Sequence, residues 1–224
     1  MSLVLVFDMD DTLFPESDFV YSGFKEVDQF LKNKLSINNF FDRACEKFTL
    51  GDRGYIFNQF LDEINYDGDI IELVKELVGV YRSHKPRIKL HSDAEWALKY
   101  YSELAPLVLL SDGYLETQKN KFESLNIDKY FQKYYFTDQW GSQYWKPSTF
   151  GFEKIELDYK LYNSEFVYIS DNPLKDFIAP NELGWDSIYI DRKSGEYKNS
   201  VIPFDGIPKK TINSLFQLKD ILDL

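Results

Sequence analysis

The hydrophobic positions of this chain follow two rhythms. Short, nearly uninterrupted apolar runs each end abruptly in acidic or small polar residues. Leu3 to Phe7 precedes Asp8-Met9-Asp10-Asp11-Thr12, Leu107 to Leu110 precedes Ser111-Asp112-Gly113, Phe166 to Ile169 precedes Ser170-Asp171-Asn172, and Ser187 to Ile190 precedes Asp191-Arg192. Runs of this length, β-branched at Val4 and Val6, suit strands buried on both faces in the middle of a parallel sheet. Helix-period sequence lies beside each run, so the pattern predicts βαβ alternation and an α/β fold.

From about Asp18 to Tyr81 the rhythm is helical throughout. Phe19, Val20, Phe24, Val27, Phe30 and Leu31 repeat at helical spacing, followed by Phe57, Phe60, Leu61 and Ile64, then by Ile70, Leu73, Val74, Leu77, Val78 and Tyr81. Breaks at Ser36-Ile37-Asn38-Asn39, Gly51-Asp52-Arg53-Gly54 and Asn65-Tyr66-Asp67-Gly68 divide this stretch into about four amphipathic helices. Their aromatic stripes read as core packing. The α/β pattern resumes near Ile88. Ser92-Asp93-Ala94-Glu95 reads as a capping box for the next helix, and a terminal helix is expected from about Thr211 to Leu222. The expected organisation is a core of residues 1–15 and 88–224, a three-layer α/β/α domain on a Rossmann-like parallel sheet. Residues 16–87 form an α-helical bundle inserted after strand 1.

Composition narrows the possible functions. The 224 residues are 44% hydrophobic and 17% aromatic, enough to pack such a core. A net charge of −11 argues against nucleic acid as a partner, since that binding needs clustered Lys and Arg to neutralise phosphates. A single cysteine, Cys45, allows no internal disulfide, fits a reducing compartment and is expected in the core. The amino terminus lacks the basic region and the small-residue cleavage site of a signal peptide, and no apolar run is long enough to span a bilayer. The expectation is a cytoplasmic protein, a monomer or weak homodimer, with no membrane partner.

The strand ends carry the candidate chemistry. In an open α/β sheet the ligand crevice lies at the carboxyl ends of the strands, so Asp8, Ser111 and Asp171 converge there although distant in sequence. Asp after a strand also serves turns and helix caps, and an isolated Asp-x-Asp is open to that reading. Several carboxylates gathered at one place repel one another and are tolerated where a hard, oxygen-seeking cation such as Mg²⁺ sits among them.

These residues resemble the haloacid-dehalogenase-like superfamily of phosphatases and phosphomutases. Asp8-Met9-Asp10-Asp11-Thr12 is similar to its first motif, Ser111-Asp112-Gly113 to its second, Lys146-Pro147 followed by Phe150 to its third, and Asp171-Asn172-Pro173-Leu174-Lys175-Asp176 to its fourth. Two positions depart from the pattern. Asp112 stands where Asn is usual, which puts the holding of phosphate in question, and Ser170 stands where Gly is usual.

The resemblance implies a Mg²⁺-dependent phosphatase acting on a small-molecule phosphomonoester of nucleotide or sugar phosphate type. It implies Asp8 as nucleophile, Asp10 as acid and base, and Lys146 as charge balance. Ser111, Asp112, Gly113 and Lys146 would bind phosphate, and Asp8, Asp10 and Asp171 would be the metal residues. Asp176 and Asn172 would orient the ligands, and Asp11 would serve the turn. The insert would be a helical cap, with Arg53 and, less directly, Arg43 as possible substrate contacts. Tyr114 to Lys121 shows a loose likeness to nucleotide and sugar-phosphate phosphatases. Arg82, His84, Lys85 and Arg87 read as solvated linker charges. A phosphomutase on the same groups and a non-catalytic binding protein are the alternatives. A 2-haloacid dehalogenase is disfavoured, because it lacks the second acid that Asp10 supplies.

Overall fold

The run Leu3 to Phe7 forms strand β1 (Ser2–Phe7) at the centre of a parallel sheet. A computed structural model describes residues 2–159, 164–193, 195, 197 and 200–222. The other strands are β2 (Leu107–Ser111), β3 (Lys133–Phe136), β4 (Ser164–Ser170), β5 (Asp186–Ile190) and β6 (Lys210–Ile212). Their order is β3-β2-β1-β4-β5-β6, and every neighbouring pair is parallel. β1 pairs with β2 on one side, Leu5 opposite Leu107, and with β4 on the other, Val4 opposite Phe166. The direction of winding reverses between β1 and β4, which is where open sheets of this kind hold ligands.

Alternate residues of β1 face opposite layers, and from Val4 to Phe7 both sets are fully buried. Val4 and Val6 pack with Phe152 and Ile155 of α7 (Phe150–Tyr159) and with Ala179 of α8 (Ile178–Glu182). On the opposite face Phe7 meets the ring of Phe131 at 6.4 Å, and Phe131 meets Phe122 of α6 (Leu115–Leu125) at 6.2 Å. Burial on both faces is what the unbroken apolar run requires.

The chain divides into two units, Met1–Glu16 with Lys89–Leu224, and Ser17–Ile88. The second is helical, built from α1 (Glu16–Leu35), α2 (Phe40–Thr49), α3 (Ile56–Glu63) and α4 (Ile70–Ser83). Its interior is aromatic. Phe40 lies 5.9 Å from Phe24 and 5.0 Å from Phe60, in edge-on contacts, over Val27, Leu31, Leu73 and Leu77. Cys45 lies on the rim of this core, half-buried rather than inside it.

Two strands went unpredicted, and three further expectations need correction. β3 and β6 were not legible as strands, because they are short outer strands: β3 exposes Lys133 and Tyr134, and β6 has three residues. The expected terminal helix is instead β6 followed by a 3-10 helix, Leu215–Asp220. Its buried residues Leu215 and Leu218 are three apart, the period of that tighter helix. No capping box opens α5 (Ser92–Tyr101): His91 occupies the cap position without a side-chain bond, and Asp93 is engaged elsewhere. Finally, His84 is buried rather than solvated, its ring 4.9 Å from that of Phe19.

Candidate active site

Asp8 follows β1 directly, and its backbone N–H donates to the carbonyl of Ile169 at the end of β4 (3.0 Å). The turn that follows is tight. Asp11 adopts a left-handed conformation (φ 49°), and its carboxylate accepts the backbone N–H of Glu16 at 2.8 Å, so it serves the turn and the start of α1. Arg192, from beyond β5, closes the same turn. Its Nε donates to the Asp11 carbonyl (3.1 Å) and its Nη2 to the Thr12 carbonyl (2.6 Å), while Nη1 pairs with buried Asp93 (3.1 Å). Asp93 also accepts from the Ser214 hydroxyl and the Leu215 N–H, both at 2.8 Å.

Lys146 reaches Asp8 from below. Its ammonium donates to Asp8 Oδ1 (2.7 Å), to the Tyr168 hydroxyl (2.8 Å) and to Asp176 Oδ2 (3.0 Å), so its three protons are all used. The Ser170 hydroxyl donates to the same oxygen of Asp176. All of these groups are buried. Burial would lower the Lys146 ammonium, yet Asp176 and Asp8 hold it well above its ordinary value. Burial pushes the Asp8 carboxyl up to about 7; Lys146 opposes this, while Asp176 and Asp10 repel on the same side.

Asp10 has different partners. Lys121 donates to both of its oxygens, at 2.8 and 2.9 Å, and the Gln118 amide donates to Oδ2 at 2.7 Å. Gln118 and Lys121 are three residues apart on α6, hence on one helix face. The Lys121 side chain is only 4% exposed, whereas that of Asp10 is 21% exposed. Burial alone would lower the Lys121 ammonium; Asp10 and Glu16 raise it instead. The Gln118 amide also donates to the Ser111 hydroxyl (3.1 Å) and to the Asp112 carbonyl.

The turn after β2 supplies the third side. Gly113 has φ +122°, a left-handed conformation suited to glycine, and a β-carbon there would press on the Gln118 side chain. The Asp112 carboxylate accepts from the Thr137 hydroxyl (2.8 Å), the Lys146 backbone N–H (3.1 Å) and the Lys175 ammonium (2.6 Å). Burial would raise this carboxyl, but Lys146 and Lys175 together lower it. Asp8, Asp10, Asp112, Gly113, Lys146, Asp171, Lys175 and Asp176 line one cavity of about 180 Å³ at the carboxyl ends of the strands.

The donor set fits a hard cation. Burial raises the Asp171 carboxyl well above its ordinary range, with repulsion from Asp8, Asp11 and Asp176 adding to it. A bound cation would relieve that repulsion. One buried oxygen, Asp176 Oδ1, accepts no hydrogen bond. Among the described residues no three His, Cys, Asp or Glu side chains are grouped closely enough to enclose a metal. The carboxylate of Asp10, expected with Asp8 and Asp171 among the metal residues, meets Lys121 and Gln118. Two carboxylates suit Mg²⁺, which usually keeps several of its waters. Thr12 steadies the second of them, donating to Asp171 Oδ1 at 3.3 Å.

The structure thus brings together Asp8, Asp10, Ser111, Asp112, Gly113, Lys146, Asp171 and Asp176. Asn172 supports the last turn, accepting the Leu174 N–H at 3.1 Å. Arg53 lies in the helical unit, where its guanidinium donates to the Phe48 carbonyl (2.8 Å) and covers the Phe48 ring at 4.2 Å. Arg43 pairs there with Glu63 at 3.6 Å. Lys121, Gln118, Tyr168 and Lys175 were missed as site residues. The signal for the first two was present: two long polar side chains at i, i+3 on the helix directly after Ser111. Tyr168 looked like one more strand residue and gave none.

Residues 5–190 match the family model described as haloacid dehalogenase-like hydrolase. The glyceraldehyde 3-phosphate phosphatase of Methanocaldococcus jannaschii is 27% identical over 231 residues, covering 97% of this chain and 96% of that protein. Among solved structures, a HAD phosphatase from Thermococcus onnurineus covers 100% of this chain and 98% of its own, at 23% identity and TM-score 0.61. The HAD-hydrolase YfnB from Bacillus subtilis, bound to magnesium, covers 100% and 99%, at 17% identity and TM-score 0.67. These structures share the fold. With four motif segments converging on one cavity and a family match over most of its length, the chain belongs to the haloacid dehalogenase-like hydrolase family.

Proposed function

We propose that this hydrolase is a Mg²⁺-dependent phosphatase that cleaves a small-molecule phosphomonoester through an aspartyl-phosphate on Asp8. The observation that carries the reading is the division of labour between two neighbouring carboxylates. Asp8 is held at the cavity floor by Lys146, and Asp10 is held at its side by Lys121 and Gln118. The Asp8 carboxylate attacks phosphorus, the bond from phosphorus to the ester oxygen breaks, and Asp10 gives that oxygen its proton. Asp10 then takes a proton from water as the water attacks phosphorus and releases Asp8. Ser111 and the backbone of the Asp112–Gly113 turn cradle the phosphoryl oxygens, and Lys146 steadies the charge. Asp8 and Asp171 would hold the cation, which lets an anionic nucleophile approach an anionic ester.

The helical unit, 17–88, acts in this reading as a cap that helps select the leaving group. Glyceraldehyde 3-phosphate, named in the Methanocaldococcus relative, belongs in the substrate panel with other sugar phosphates, nucleotides and phosphoglycolate. Asp8→Asn is expected to lower turnover of the best substrate by about 10⁴-fold or more, with the melting curve kept. Turnover should vanish with EDTA and return with Mg²⁺. Near-normal activity in Asp8→Asn, or indifference to chelation, rules the reading out.

A further inference from the structure

The Asp112 carboxylate lies in the wall of a cavity that, on the phosphatase reading, must accept a dianion. Of its three kinds of partner, two make no use of its charge. The Thr137 hydroxyl and the Lys146 N–H would donate equally well to a neutral amide oxygen. Only the contact with Lys175, at 2.6 Å, needs a carboxylate. Lys175 comes from the turn after β4, between Asp171 and Asp176, and its side chain is 33% exposed and lines the same cavity.

We propose that Lys175 sets the affinity of the site for phosphate by cancelling the charge of Asp112, and that the two residues work as one unit. Lys146 offsets part of this charge, but its ammonium is already bonded to Asp8 and Asp176; without Lys175 the remainder would repel the phosphoryl group from the Ser111–Gly113 turn. Paired with Lys175, Asp112 keeps its hydrogen bonds to Thr137 and Lys146 and joins the turns after β2 and β4. Removing both charges together therefore does less harm than removing the positive one alone.

The test compares the wild type, Lys175→Met, Asp112→Asn and the double variant, each with Mg²⁺. Each is titrated with inorganic phosphate by calorimetry and assayed on p-nitrophenyl phosphate. Lys175→Met is expected to weaken phosphate binding and raise KM about tenfold, with kcat within about threefold of the wild type. Asp112→Asn should bind phosphate at least as well as the wild type, and the double variant should recover most of the loss. Unchanged binding in Lys175→Met overturns the inference, and so does a double variant as weak as Lys175→Met. The same holds for a wild type that takes up no phosphate. A wild type that binds phosphate but hydrolyses no ester leaves the pair standing and removes the phosphatase reading instead.

Discussion

Asp8 and Asp10 are separated by one residue, and each meets a buried lysine. Around Asp8 everything is enclosed: Lys146, Tyr168, Ser170 and Asp176 are buried with it and share their hydrogen bonds. Around Asp10 the partners Lys121 and Gln118 are enclosed, but the carboxylate itself stays a fifth open. A buried charge network is costly to disturb, because whatever remains has no water to turn to. A partly open carboxylate can rehydrate and swing. The difference suits a nucleophile that must stay in place and an acid that must meet first an ester oxygen and then a water.

Removing each lysine is the sharpest way to break the comparison. Lys146→Met strands Asp8 and Asp176 together and is expected to cost about 3–5 kcal/mol of stability, read from urea unfolding. It should also lower turnover by about 10²–10³-fold. Asp10→Asn should keep the fold and lower turnover by about 10²–10⁴-fold, as loss of an acid and base does. Lys121→Met should cost less, about 1–3 kcal/mol. Its turnover should fall about 10–100-fold, and Lys121→Arg should restore part of that. Equal stability losses for the two lysine variants would remove the distinction between the two settings.

The smallest effect concerns protons. The Asp8 carboxyl is raised from 3.8 to about 7 in the metal-free protein. A group raised on folding contributes stability that is full below its unfolded value and is lost as pH rises through its folded one. Metal-free protein should therefore gain stability from Asp8 as pH falls from about 7 toward 4. Mg²⁺ uptake near pH 6 should release protons, seen as a calorimetric heat that depends on the buffer. A pH-independent Mg²⁺ affinity between pH 5 and 8 would contradict this account.

Much of the fold is legible in the sequence. The inner strands could be read from their unbroken apolar runs, and the helices of the insert from the helical spacing of their apolar residues and the breaks between them. The outer strands could not, since Lys133-Tyr134-Tyr135-Phe136 and Lys210-Thr211-Ile212 bury one face at most and resemble loop sequence. Within the site, the strand ends pointed to Asp8, Ser111 and Asp171 because topology alone gathers them. The partners of Asp10 needed the helix phase of Gln118 and Lys121 relative to the sheet. The use made of Asp112 needed Lys175, which lies 63 residues away. Ser92-Asp93-Ala94-Glu95 misled for a related reason: Asp93 serves Arg192 and Leu215, neither of which is nearby in sequence.

The Arg192 clamp bears on how the enzyme is made. Arg192 stands 181 positions after the first carbonyl it holds, and Lys146 and Asp171 also arrive late in the chain. A ribosome adding about 5–20 residues per second needs roughly 10–40 s to cover that interval. During that time Asp8 has been synthesised but its turn is unfastened, and its partners do not yet exist. The nascent chain is thus expected to be silent toward phosphate esters until Arg192 has emerged.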